Sequence, residues 1–544
     1  MIPSKLLKKL GSFFILKSLI LAKFFLLKKV ILLVVLTFLT SCVSVKKHNE
    51  RRDKPIPAEK LRSDVDFTYH QLQRLHPALY WYISKDSLDH KFDSLKANIN
   101  SPLKPNDFFQ KLAPIIAKVK EGHLRLYPME KRLTKKEIKF LKHQKGLLSR
   151  FNFVVDHDRI FVLDNAEKIA NMDVGTEILK IKDIPAKQLL EKYKPFVNSD
   201  GLNSTFQKYS MSRRWPAFFT AEYGILDSVK LETKLNNQIK TFYLHREKMT
   251  KEEKKKEEQE NKKLTKSETG KTKDYNIITK SFNRDLQFPT KDSTVAYMKI
   301  KTFSGTYSRR FYKQSFAKLK KSPAKYLVLD IRDNLGGSLY EINNLYSYLV
   351  SEKFQFIEDI QVTSRSSMFH ADYFSEFSTI TKPLAVIGYP LYAMVTMLSV
   401  KQKDDQFYLK NNGIFGIKNP KKNHFEGKIF VLINGSSFSA SSIISSKLKG
   451  DQRAFLVGEE TGGASDGTVA GRYSTQKLKN SRLTLPIGLM LIQPNIKFTN
   501  TKKGVIPDKE IVPTLAEILQ KKDVQLDWVM QEIKKEQSEK SDQD

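Results

Sequence analysis

Three textures of apolar spacing follow one another along the chain. From Ile56 to about Arg125 the spacing is helical. Val65, Phe67, Leu72 and Leu75, then Phe92 and Leu95, then Phe108, Phe109, Leu112, Ile115, Ile116 and Val119 recur among polar residues at intervals that put them on helix faces. Pro102 and Pro105 separate the predicted helices, and the stripes read as an ordinary helical core. From Phe151 to about Leu244 short alternating runs take over (FNFVV, RIFVLDN, EILKIKDI, SVKLETKL, KTFYLHR), the pattern of a small mostly-β domain. From Val295 the runs YMKIKTF, KYLVLDI, LAVIGY, KIFVLIN and AFLVGEE predict strands, several apolar throughout as burial on both faces requires. Helical stretches at 307–319, 339–350 and 439–448 fall between them, so a largely parallel sheet with crossover helices is expected.

Two charged segments interrupt this scheme. Lys251–Asp274 holds nine basic and seven acidic residues among 24, with one aliphatic residue. It cannot bury a core and reads as a solvated linker. Lys521–Asp544 reads as a charged helix fraying into a polar tail. The N-terminus differs again: residues 1–41 carry seven lysines and no acid, and close on the apolar block Val30–Leu39. That block has the length of a signal-peptide h-region and falls short of the roughly 20 residues that span a bilayer. Cys42 follows directly on Leu39-Thr40-Ser41 and is the only cysteine in the chain. The segment resembles a bacterial lipobox, which implies a lipid on Cys42 holding the mature chain to a membrane of the cell envelope, facing the periplasm or the surface.

Composition narrows the function classes. With 40% hydrophobic residues, 35 Phe and 21 Tyr, the chain has the material for real cores. A single Cys excludes a disulfide framework and Cys-rich metal sites. The net charge of +35 would point to nucleic acid in a cytosolic protein; in an exported one it faces anionic membrane surfaces or wall polymers instead. No H-E-x-x-H or comparable His/carboxylate motif occurs to support a metal site.

Three places combine a strand end, glycine and a reactive side chain. Asp330-Ile-Arg-Asp-Asn-Leu-Gly-Gly337 follows a buried strand, and its glycines allow a tight turn that leaves N–H groups accessible to an oxyanion or phosphate. Lys428–Leu448 reads strand, GSSF turn, then a helix opening at Ser439. The next N–H, that of Ala440, is free to face a developing negative charge, although Ser436, Ser437 and Ser439 are equally good helix caps. Glu121-Gly-His123-Leu-Arg125-Leu closes the helical region, where a histidine after glycine is ordinarily a turn residue.

Taken in order, these segments resemble the tail-specific (carboxy-terminal processing) serine protease family, in particular its tricorn-like branch. EGHLRL is similar to that family's D-G-H-T-R-L, DIRDNLGG to its D-L-R-x-N-x-G-G, and Phe438-Ser439-Ala440-Ser441-Ser442 to its S-A-S-E. Val457–Gly463 is similar to its V-G-E-x-T-G-G, and Gly504–Asp508 to its G-V-x-P-D. Gly175–Pro185 resembles a PDZ strand-turn, with Lys182-Asp183 where Asn-Gly is usual. The resemblance implies a multidomain α/β fold: an N-terminal helical domain (56–140), a divergent PDZ-like mostly-β domain (141–247) and a crotonase-like α/β peptidase domain (277–520). Around these lie a signal peptide (1–41), a tether (42–55), a charged linker (248–276) and a tail (521–544).

It further implies Ser439 as nucleophile, His123 as general base, and an oxyanion hole of the Ala440 N–H with a glycine N–H from Gly336 or Gly337. Asp508, Glu459 and Glu121 are the candidates for orienting the imidazole. The resemblance implies neither a metal nor an organic cofactor. The Ser–Lys branch of the family carries its lysine where this chain has Ala464, and Ser442 replaces the Glu of S-A-S-E. The expected function is an exported, lipid-anchored serine endopeptidase acting on polypeptide. The alternatives are an inactive peptide-binding lipoprotein on the same scaffold and a tether for anionic wall polymer.

Overall fold

The computed structural model describes residues 44–255, 259, 274–276, 281–305, 307–378, 381–410, 416–497 and 502–541. Cys42, its signal segment and most of Lys251–Asp274 therefore lie outside the described residues. The chain divides into two compact units, Met1–Lys54 with Glu130–Ile138, and Pro55–Met129 with Lys139–Asp544. In the first, part of the expected tether forms the helix Val45–Asp53, its N-terminus capped by the Ser44 hydroxyl accepting from the Lys47 N–H. Asn49 bonds both backbone groups of Arg132 at 2.9 Å.

The larger unit contains everything else considered below. Its helices Ala58–Leu75, Lys85–Ala97 and Pro105–Ile116 bury most of the residues that the spacing selects: Leu72, Leu75, Phe108, Leu112 and Ile116 are fully enclosed, while Phe67 and Ile115 are partly covered. After Ile116 a single 3-10 turn and left-handed Lys120 (φ 56°) reverse the chain and deliver Glu121-Gly122-His123 to the interior.

Residues 152–245 form an antiparallel sheet in the order Asn152–Asp156, Arg159–Asp164, Glu177–Ile181, Ser228–Leu235, Gln238–His245, with Ile184–Pro185 paired to Glu177–Ile181. Its hairpins turn on His157-Asp158, Lys182-Asp183 and Asn236-Asn237, each pair with both φ values between 46° and 66°. Two consecutive positive φ angles are the type I′ geometry that matches strand twist. Lys182-Asp183 thus performs, at some cost in backbone strain, the turn that Asn-Gly usually makes. Helices Ala186–Tyr193 and Thr205–Tyr223 accompany this sheet, the second burying Trp215 completely.

The remaining strands build a two-stranded ribbon, Tyr275–Asn276 with Ser281–Phe282, and two larger sheets. One runs Lys509–Glu510, Phe455–Gly458, Lys428–Ile433, Tyr326–Asp330, Val295–Ile300, Arg284–Gln287, parallel except for the last pair. The other is antiparallel: Val400–Lys403, Gln406–Leu409, Gln361–Val362, Thr484–Ile492, Thr468–Lys477. The two central parallel strands are buried on both faces, as their unbroken apolar runs require. Expected helices appear at Ser308–Lys320, Leu339–Tyr346 and Ala440–Gly450.

One continuous core runs from Leu61 through the antiparallel sheet to Val505, so helical, β and α/β regions share it. One expectation fails, and one is incomplete. LAVIGY is no strand but the start of the helix Lys382–Leu398; a short apolar run fits either element, and Pro390 would have broken a sheet ladder. The charged helix expected near the C-terminus is present, and it also packs on the fold, which its charge pattern did not announce. Val524–Ser541 is a helix that lays Val529 and Ile533, four residues apart, against Val295, Tyr326, Val328, Phe430, Leu432 and Val457 of the parallel sheet.

A buried ionic knot ties the edge strand to this sheet's helices. The Arg284 guanidinium pairs with Asp274 and, at 2.8 Å from both Nε and Nη2, with Glu341, which also accepts from Tyr312 Oη at 2.7 Å. All three charged side chains are at most 3% exposed. Arg284→Ala leaves two carboxylates enclosed without a cation, and is expected to destabilise the protein by roughly 3–5 kcal/mol. The urea unfolding midpoint measures it.

Candidate active site

The serine-rich turn after Lys428–Ile433 is built by hydrogen bonds that consume every serine but one. Asn434 Oδ1 accepts from the N–H groups of Asp333 and Ser436, both at 3.0 Å. Ser437 Oγ donates to Ile331 O and Ser441 Oγ to Asn334 O. Ser442 Oγ donates to Ser437 O and accepts from the Gly463 N–H, stitching this turn to the Thr461-Gly-Gly turn. Ser439 holds the N-cap position of Ala440–Gly450 yet makes no capping bond. Its backbone sits at φ 55°, ψ −119°, a conformation that costs a non-glycine residue of order 1–3 kcal/mol. It is also the one residue in 429–448 that is not buried. The fold thus bends the chain so that a single hydroxyl leaves the core.

That hydroxyl meets His123. Nε2 lies 3.0 Å from Ser439 Oγ, although 316 residues separate them. The other ring nitrogen, Nδ1, is 3.1 Å from Glu121 Oε1 and 3.0 Å from Thr468 Oγ1, which itself donates to Glu121 Oε1 at 3.3 Å. A proton on Nδ1 satisfies these acceptors and leaves the Nε2 lone pair for the serine proton. Phe438 packs its ring 4.7 Å from the imidazole and fixes its plane. Burial opposes the charged imidazole, but the Glu121 hydrogen bond and the Glu121 and Asp200 charges outweigh it and raise the His123 pKa. His76, also close to Glu121, is pushed by burial down to about 4 and stays neutral, so Glu121's charge serves His123.

Of the three predicted orienting carboxylates, two stand elsewhere. Asp508 accepts from the Leu456 N–H at 2.8 Å and pairs with Lys449 at 2.8 Å, pinning the strand Phe455–Gly458. Glu459 accepts from Tyr209 Oη. Each is spent on packing, and Glu121 is the one against the imidazole. Sequence reading missed Thr468 and Asp200. Asp200 accepts from the N–H groups of Gly122 (2.6 Å) and Ala464 (3.2 Å), tying the histidine loop to the turn that carries Ala464. Burial first, and the Glu121 charge second, push it up to about 7. No local motif marks it; it arrives because the Gly201 N–H bonds Lys120 O at 2.9 Å, a long-range contact. Glu121, His123 and Asp200 bring ligand-type atoms within 4.8 Å of one another. The hydrogen bonds just named already occupy the imidazole nitrogens, Glu121 Oε1 and both Asp200 oxygens.

The glycine turn closes on the same spot. Asp333 takes the left-handed conformation (φ 63°) that glycine or asparagine adopts more cheaply. A Cβ on Gly336 (φ 101°) would lie 2.8 Å from both Phe438 O and Ser439 Cβ and 2.9 Å from Ala440 N. Gly336→Ala is therefore expected to displace the Ser439 turn, lowering stability by roughly 1–3 kcal/mol and activity far more. A thermal melt read beside peptide hydrolysis separates the two. The Gly336 N–H is spent on Asn334 Oδ1 at 2.9 Å. The N–H groups of Gly337 and Ala440 donate to no described acceptor.

Residues 294–511 match peptidase family S41. This stretch is a peptidase S41 domain. It supplies Ser439, Thr468 and the glycine turn, whereas His123 and Glu121 come from outside the matched region, so the S41 domain alone does not complete the site. The peptidase assignment thus belongs to this stretch. Among solved structures, mature CPAF is similar at 14% identity over 86% of this chain and 95% of its own, with a TM-score of 0.56. Mature CPAF complexed with lactacystin matches at 14% identity, 86% and 96% coverage and the same TM-score. The photosystem II D1 C-terminal processing protease matches at 14% identity over 85% and 96%, with a TM-score of 0.39. At such identity the CPAF likeness is one of fold, a mixed α/β architecture shared along most of both chains. No curated protein sequence matches this chain.

Proposed function

We propose that the chain is an exported, lipid-anchored serine endopeptidase acting by acyl transfer. The observation that carries this reading is the 3.0 Å approach of His123 Nε2 to the Ser439 hydroxyl, which makes no capping bond and is only partly buried. His123 takes the Ser439 proton as Oγ attacks the scissile carbonyl, then returns it to the leaving amine. Glu121, with Thr468, holds the tautomer and stabilises the imidazolium that forms. The N–H groups of Ala440 and Gly337 receive the oxyanion; Gly336 shapes the turn instead of donating. Polypeptide is the substrate, and no cofactor enters these steps. In the domain terms of the family, residues 141–247 act as a divergent PDZ-like unit that captures an extended peptide by strand addition, and the S41 domain is the crotonase-like layer. Cys42 carries the lipid that keeps the enzyme in the cell envelope.

Incubating the full chain with an unfolded polypeptide, and mapping new termini by mass spectrometry, tests the reading. Internal cleavage blocked by prior fluorophosphonate treatment is expected. Binding without cleavage would favour the inactive peptide-binding lipoprotein, for which the Ala464 and Ser442 departures argue.

Because the base must be neutral, activity rises with pH as His123 loses its proton. Its raised pKa puts that acid limb above the ordinary imidazole value of 6.5. The pH profile of kcat/KM measures it, and an acid limb below that value would contradict the Glu121–His123 pairing.

A further inference from the structure

The helix Lys382–Leu398 turns an apolar face outward. Ala385 is its only buried residue, while Leu384 (69%), Ile387 (77%), Leu391 (61%) and Leu398 (60%) stand in the open among other exposed aliphatics. Its opposite side is fastened. Tyr389 Oη donates to Phe369 O at 3.1 Å, Tyr392 Oη to Met368 O at 3.4 Å, and Tyr373 and Phe374 stack on these two rings. With its aromatic side hydrogen-bonded down, the helix cannot roll its aliphatic face into the core.

Charge selects the occupant. Between Thr381 and Val400 the only charged residue is Lys382. Lys410 stands at the other end, its N–H bonded to Ser399 O at 2.6 Å, and Lys403 lies on the hairpin that follows, whose tip carries Asp404 and Asp405. Lys382, Lys403 and Lys410 pair with no described carboxylate. A single convex helix offers no groove for an extended polypeptide. An apolar stripe with lysines at its ends does suit the boundary of an anionic bilayer, where aliphatics enter the acyl region and ammonium groups meet phosphates. No described helix is long and apolar enough to cross a membrane. This one, with 17 residues, is about 25 Å long and fits flat in the interface.

We propose that Lys382–Leu398 is an interfacial membrane contact, lying in the headgroup–acyl boundary of an anionic lipid surface. It is a second attachment, independent of any lipid on Cys42. It would hold the S41 domain itself against the bilayer, so that substrates are met at the membrane surface.

The chain's single cysteine makes the test direct. In a full-length Cys42→Ser background, an environment-sensitive fluorophore is placed at Leu391→Cys or, as a control, at exposed Gln238→Cys. Phosphatidylcholine vesicles with and without phosphatidylglycerol are then added. The emission at 391 is expected to shift to the blue and be quenched by doxyl-labelled lipid, while 238 is unmoved. Changing Lys382, Lys403 and Lys410 to Gln should raise the half-saturating lipid concentration by roughly a hundredfold. Adding Ile387→Glu and Val395→Glu should abolish the response. An unshifted label at 391 on protein that sediments with vesicles would overturn the proposal. So would a shift that grows with protein concentration without lipid, which marks a second copy, or one produced only by unfolded polypeptide, which marks substrate.

Discussion

Ser439→Ala is expected to lower kcat/KM for peptide hydrolysis by roughly 10³–10⁶-fold while leaving the fold intact. Both halves follow from how the residue is held. The hydroxyl neither caps the helix Ala440–Gly450 nor bonds the turn, and its partner is the imidazole of His123. Its deletion therefore removes the nucleophile and no structural contact. The serines around it behave oppositely: Ser437 and Ser441 donate to buried backbone carbonyls, so their replacement costs stability first. A melting temperature close to wild type, beside lost hydrolysis, distinguishes Ser439 from these neighbours. Ser439→Gly carries the argument further. Its φ of 55° is strained for serine and free for glycine, so this inactive variant should melt above wild type.

Glu121→Gln is expected to cost roughly 10²–10⁴-fold in kcat/KM and to move the acid limb of the pH profile downward. Glutamine keeps the shape of the side chain and loses its charge. The His123 Nδ1–H then faces a neutral amide, the imidazolium formed during attack loses its counter-charge, and an amide flip can offer N–H where an acceptor is needed. Without that charge, burial opposes protonation of His123 against the weaker influence of Asp200 alone, so its pKa falls. Controls lie in the two carboxylates that the motif comparison also nominated. Asp508→Asn and Glu459→Gln should affect stability through the Leu456 N–H and the Tyr209 hydroxyl, with the acid limb unmoved. An acid limb that follows Asp508 or Glu459 instead of Glu121 would reassign the orienting group.

Much of this was legible in the sequence, because some elements are specified locally. The helical faces of Leu61–Leu75, the all-apolar strands Tyr326–Asp330 and Lys428–Ile433, and the glycine and serine turns that follow them are short-range patterns. What local pattern cannot specify is which distant loops meet. Asp200 and Thr468 lie in stretches with no distinguishing composition, and they matter only because the fold brings them to Glu121 and His123. Likewise a count of carboxylates near the motifs could not separate Glu121 from Asp508, whose oxygens are taken up by Leu456 and Lys449. The failure at LAVIGY and the unannounced packing of Val524–Ser541 have separate causes. A short apolar run fits strand and helix alike, and a charged helix with two well-spaced aliphatics is easily read as solvated.

The central claim is that Ser439 is a nucleophile activated by a histidine delivered from outside the S41 domain. Fluorophosphonate labelling of the folded full-length protein, with the modified peptide located by mass spectrometry, tests it most directly. The account predicts a single adduct on Ser439, absent from Ser439→Ala and formed at least about 100-fold more slowly in His123→Ala. An unlabelled wild type in the presence of peptide, or labelling of Ser439 at an undiminished rate in His123→Ala, would contradict it.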